Sequence, residues 1–230
     1  MKKTIEYCIT REVTIPPFLV RKIDINNPLL TNILKEVEDK IISKEGLWNF
    51  DAFEKTDYYV EPEYLKDIQT RGHSGIPQKE VNRNLQREII SRNQLPNISK
   101  KEYFDLLQNQ RNLKHSVESL LGIKDITTFT VYPPGGYIGW HSNYDAPGYN
   151  FLFTWSKDGD GFFRFIDPLT KETVTLEDSS GWNARMGYFG SGDQELWHCA
   201  YTNCRRLTIC FRFHTEVQQD LARRTISGII

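Results

Sequence analysis

Cysteine is scarce, long apolar runs are missing and the two signs of charge nearly cancel, and each shortage narrows what this 230-residue chain can be. The four cysteines, Cys8, Cys199, Cys204 and Cys210, show no Cys-x-x-Cys spacing, and three of them crowd into one strand-like stretch. They read as reduced and mostly structural thiols rather than a disulfide framework. No stretch approaches the roughly 20 apolar residues that span a bilayer. Glu6 and Arg11 interrupt the N-terminal segment, where a signal peptide would need roughly 7 or more apolar residues in a row. A soluble, cytoplasmic protein with no membrane partner is the expectation. A formal net charge of -1 without a basic stripe argues against nucleic acid, and the lack of any internal repeat disfavours a solenoid.

Aromatic residues are what the chain has in quantity, and they are unevenly placed: 19 of the 29 lie between Leu121 and Glu216, together with 11 of the 15 glycines. The two halves follow different periods. In the first, Asn27-Pro28 ahead of Leu30, Ile33, Leu34, Val37 and Ile41 supplies an N-cap, a proline at the first helical position and an apolar stripe. Ser99-Lys100-Lys101-Glu102 is a capping box, followed at helical spacing by Tyr103, Leu106, Leu107, Leu113, Val117, Leu120 and Leu121, with Gly122 as the stop. Val81 to Ile90 has weaker helical character, and Trp48 to Glu63 reads as irregular or extended. His73 and His115 stand apart from other ligand-type residues and take ordinary loop and helix-surface roles.

From Asp125 the period drops to two. Thr127 to Tyr132, Tyr149 to Trp155, Phe162 to Ile166, Glu172 to Leu176, Trp182 to Phe189 and Leu207 to His214 read as strands. Pro133-Pro134-Gly135-Gly136, Lys157-Asp158-Gly159-Asp160-Gly161 and Gly190-Ser191-Gly192 read as turns. Many short strands of this kind predict a mainly β jelly roll buttressed by N-terminal α-helices. One domain over residues 1–230 is expected, with 1–122 as helical support and substrate side, 123–216 as the β core and 217–230 as a C-terminal tail. Alternation on the last strand then sets a constraint. If Leu207, Ile209, Phe211 and Phe213 face the helices, Arg206, Thr208, Cys210 and Arg212 face inward. An inward guanidinium needs an anion, and a ligand carboxylate held in a bidentate pair is the natural candidate. His141 and His198 lie in the same half. Thr130, Asn150 and Thr154 are weaker pocket candidates, Trp140, Trp155 and Trp197 read as core, and His214 as rim.

The run Tyr132-Pro133-Pro134-Gly135-Gly136-Tyr137-Ile138-Gly139-Trp140-His141, with Trp197-His198 and Arg206-Leu207-Thr208-Ile209-Cys210-Phe211-Arg212, resembles the Fe(II)- and 2-oxoglutarate-dependent oxygenases. These are built on a double-stranded β-helix, a cupin-like jelly roll, and the resemblance covers about residues 121 to 216, closest to prolyl-hydroxylase-like and phage-type members. It implies iron held by His141, His198 and a carboxylate, a ligand set that leaves three positions for 2-oxoglutarate and O2. It further implies that Arg206 anchors the distal carboxylate of 2-oxoglutarate, with Tyr132, Thr208 and Arg212 as further cofactor-binding residues. A C–H bond would be hydroxylated while 2-oxoglutarate gives succinate and CO2, with ascorbate supportive in vitro.

The chain departs from the family at one place: His141-Ser142-Asn143 stands where the family has His-x-Asp. The amide oxygen of Asn143, a water, Asp145 further along the loop, or a halide as in the family's halogenases are the alternatives for that position. A protein or peptide substrate ranks above nucleic acid, although Arg206 and Arg212 together are similar to the arginine pair of the family's nucleic-acid demethylases. The rival from another class is a non-catalytic cupin-like module that keeps the fold and binds a metal or ligand.

Overall fold

The computed structural model describes residues 20–72, 75–86, 95, 98–122, 125–143, 146–213 and 215–229. The alternating segments become β4 (Asp125–Tyr132), β5 (Gly136–His141), β6 (Gly148–Ser156), β7 (Gly161–Ile166), β8 (Thr173–Glu177), β9 (Gly181–Phe189), β10 (His198–Thr202) and β11 (Arg206–Phe213). The first half adds three short strands, β1 (Arg21–Ile23), β2 (Glu80–Val81) and β3 (Arg83–Asn84). Two antiparallel sheets result, ordered β1-β9-β6-β11-β4-β3 and β2-β5-β10-β7-β8. From β4 onward the chain crosses repeatedly between the two sheets, which is the winding of a double-stranded β-helix. The expected fold class is the observed one.

Helices cover the outer face of the six-stranded sheet. α1 (Pro28–Val37) is capped by the Asn27 side chain, which accepts from the amides of Leu29 and Leu30, and has proline in its first turn. α2 (Pro62–Thr70) packs beside the five-stranded sheet through Tyr64, Leu65 and Ile68. α3 (Lys100–Leu121) carries the Ser99/Glu102 capping box and ends on Gly122 at φ 67°, a left-handed conformation open to glycine without side-chain strain. Leu30, Leu34, Leu113 and Val117 meet Phe129, Phe151, Phe153, Leu207, Ile209, Phe211 and Phe213 in one apolar cluster.

Four segments differ from expectation. Residues 217–230, expected as a tail, lie mostly in a helix, α4 (Glu216–Ile226), because Thr215 and Gln218 form a second capping box and Ala222 and Ile226 bury against the same cluster. The weakly helical stretch from Val81 contributes edge strands instead, since Arg83 pairs with Val131 and Asn84 with Thr130; residues 87–94 lie outside the described ones. β5 and β10, absent from the sequence reading as strands, carry the two histidines.

Candidate metal and anion site

His141 ends β5 and His198 begins β10, and the two stand directly opposite each other across the ladder. A bulge makes this so. Gly136, Tyr137 and Ile138 pair in regular register with Thr202, Tyr201 and Ala200, which continued would set Trp140 against His198; one extra residue in β5 puts His141 there. Their ring centroids are 4.1 Å apart. The Nδ1 of His141 lies 2.8 Å from the carbonyl of Gly139, and that of His198 lies 2.9 Å from the carbonyl of Leu196. A carbonyl can only accept, so Nδ1 carries the hydrogen in both rings and Nε2 keeps its lone pair, the tautomer a metal requires. Burial and the neighbouring His141 depress the pKa of His198 well below the ordinary value, which keeps that imidazole neutral. Ser142 donates through Oγ to Glu195, tying the segment after one histidine to the segment before the other.

Both imidazoles face a cavity of about 140 Å³ between the sheets. It is lined also by Arg206, Thr208, Cys210 and Arg212 from β11, by Tyr132, and by Asn143 and Asn150. Inward alternation of β11 thus places all four of its polar-face residues on one wall, while Leu207, Ile209, Phe211 and Phe213 join the helices. Asn143 reaches the cavity and accepts from the amide of Ala146 through its carbonyl at 3.0 Å; Asp145, the alternative ligand, lies outside the described residues. Among the described residues no group of three His, Cys, Asp or Glu side chains converges. A two-imidazole metal site fits the tautomers and the cavity, with Asn143, two positions after His141, lining the same space.

The anion paired with Arg206 is in part the chain's own. Its Nε donates to Asp178 Oδ2 at 2.9 Å and its Nη1 to Thr208 Oγ1 at 2.9 Å. Asp178 simultaneously accepts from Arg185 Nη2 through Oδ1 at 2.6 Å. All three side chains are 2% exposed or less. Sequence reasoning missed Asp178 and Arg185. Alternation in β9 placed Arg185 inward between Ala184 and Met186, and that parity was the available signal. Two guanidiniums therefore share one buried carboxylate, and Nε and Nη1 of Arg185 have no hydrogen-bond partner among the described residues. Burial raises the pKa of Asp178, but the charges of Arg206 and Arg185 outweigh it and hold the carboxyl below its usual value. These three side chains together keep one positive charge in excess, and of the three Arg206 lines the cavity.

The ring of Tyr132 lies 5.3 Å from the Arg206 guanidinium carbon, and burial pushes its pKa to about 12, so it remains a phenol able to donate. Arg212 sits six residues from Arg206 on the same face of β11, about 20 Å along the strand. Arg206 and Arg212 thus stand toward two ends of one wall of the same cavity. Thr154 approaches Thr208 with 3.5 Å between hydroxyls, and Thr130 lines a neighbouring groove rather than the cavity. Trp140 is fully buried and donates to the Glu61 carbonyl at 3.0 Å, a core role.

Fold and site together define a double-stranded β-helix protein with a paired-histidine cavity and a cationic end. Solved structures similar to it include a prolyl hydroxylase from Trichoplax adhaerens in complex with a hypoxia inducible factor oxygen degradation domain peptide fragment, at 13% identity and a TM-score of 0.43, covering 90% of this chain and 87% of that one. A Pseudomonas putida prolyl-4-hydroxylase matches at 14% identity and a TM-score of 0.34, covering 82% of this chain and 100% of that one. No family model matches the chain, and no curated protein does. Among the described residues no helix is long and apolar enough to cross a membrane.

Proposed function

We propose that the chain is an Fe(II)- and 2-oxoglutarate-dependent dioxygenase that hydroxylates a C–H bond. The observation that carries the reading is the register-paired His141 and His198, both holding Nε2 as an acceptor, in the same cavity as a guanidinium with excess charge. The bound iron would supply dioxygen activation coupled to conversion of 2-oxoglutarate to succinate and CO2. His141 and His198 would hold it, with Asn143 or Asp145 beside them. Arg206 receives the distal carboxylate, and the Tyr132 hydroxyl and Thr208 complete that end. Arg212, toward the other end of the same wall, is a further cosubstrate-binding residue.

Substrate reaches the cavity through a larger groove of about 670 Å³ that shares Thr128, Tyr132 and Ile138 with it. Phe50, Asp51, Phe53, Glu80 and Arg83 line this groove. All come from the first half of the chain, and β2 and β3 run along it as the edge strands of the two sheets. Two sheet edges beside an open groove suit an extended peptide, which favours a protein or peptide substrate over nucleic acid. A cytoplasmic location is consistent with free thiols at Cys199, Cys204 and Cys210.

The test is Fe(II)-dependent succinate formation from 2-oxoglutarate with ascorbate, in the native protein and in His141→Ala and His198→Ala. Turnover in the native protein, lost in both variants, supports the reading. Absence of both succinate formation and 2-oxoglutarate binding across a broad substrate panel overturns it. The second reading, a non-catalytic metal- or ligand-binding module, draws on Asn143 in place of an acid and predicts binding without succinate.

A further inference from the structure

Asp178 and Arg206 alone would make a closed, neutral ion pair, and a neutral pair has little to offer a second carboxylate. Arg185 changes that count. It occupies Oδ1 of Asp178 while Arg206 holds Oδ2, and its own Nη2 also donates to the carbonyls of Leu176 and Glu177 at 3.2 Å each. Arg185 is fully buried and is not among the residues that line the cavity. Glu177 also acts on it, but as an exposed, water-screened carboxylate. Arg206, held by Asp178 at Nε and by Thr208 at Nη1, does line the cavity.

We propose that Arg185 is a positioning residue that, by sharing Asp178, keeps one positive charge of Arg206 available and so selects a ligand bearing a second carboxylate. The inference rests on the oxygenase reading above and adds to it the source of cosubstrate selectivity. Arg185 touches no ligand. It acts by preventing Asp178 from fully neutralising Arg206, an effect only partly screened by solvent because all three groups are buried.

The experiment compares anaerobic binding of 2-oxoglutarate and of 2-oxopentanoate, which carries a methyl group in place of the distal carboxylate, to the Fe(II)-loaded protein by calorimetry. In Arg185→Gln, which drops the charge and keeps an amide donor, 2-oxoglutarate affinity is expected to fall about tenfold, the scale of one partly screened charge. Binding of 2-oxopentanoate stays as in the native protein, and Arg185→Lys, which keeps the charge, restores the preference. If Arg185→Gln does not fold, Arg185→Met removes the same charge without a buried amide. Equal weakening of both ligands, or an unchanged preference, overturns the proposal while leaving the oxygenase reading in place. A native protein that binds neither ligand overturns both.

Discussion

Strand β11 divides two interiors that are equally buried and differently built. Toward the helices, Leu207, Ile209, Phe211 and Phe213 close on apolar partners, and shape and area account for the packing. Toward the other sheet, Arg206, Thr208, Cys210 and Arg212 face a cavity, and the order there comes from directional bonds around Asp178. The difference teaches that the helices of the first half stabilise the fold without touching the chemistry, whereas the second interior gives up packing density to hold charge.

The sharpest way to break the contrast is Asp178→Asn, which leaves Arg185 and Arg206 buried without a carboxylate. A loss of about 3–5 kcal/mol is expected in urea unfolding, and a native-like midpoint would show that the cluster is not a working ion network. The same carboxyl gives a pH signature. Its folded pKa is lowered, so its contribution is complete above the unfolded value of about 3.9 and drains away as pH falls through the lower folded value. Acid unfolding should therefore steepen below about pH 4 in the native protein and be shallower in the variant. On the helix side, Leu113→Ala should cost about 2–3 kcal/mol through its cavity and leave 2-oxoglutarate affinity unchanged, measured on the same samples. Ser99→Ala, removing one half of the α3 capping box, is worth about 1 kcal/mol by thermal unfolding. His198→Ala should move stability least, by under about 1 kcal/mol, because the ring borders space rather than filling it. Calorimetric Fe(II) binding should nevertheless disappear, and retained binding would separate the metal from this pair.

Much of the helix-side interior was legible in the sequence, because capping residues and apolar stripes are local signals. Asn27, Ser99, Glu102 and Gly122 act where their spacing placed them. The inward row of β11 was legible for the same reason, two-residue alternation. What escaped depends on contacts distant along the chain: Asp178 lies 28 residues before Arg206, and nothing near either position reports the pairing. β5 and β10 were hidden because glycines and a bulge in one, and a length of five residues in the other, leave too little alternation to read. The α4 helix had its capping box in plain view at Thr215 and Gln218, but charged residues between its few apolar positions masked the stripe.

The bulge in β5 carries an unusual liability. Because a single surplus residue decides whether an imidazole or an indole meets His198, adding one residue between Ile138 and Trp140 while the bulge keeps its size would set Trp140 there and rewrite the cavity more thoroughly than most substitutions inside it. Trp140, now packed in the outer core beside Glu61, would swing toward the cavity while the core lost its largest side chain. Site and core in this sheet are thus set by one count along the backbone, and a change of length there would be paid twice.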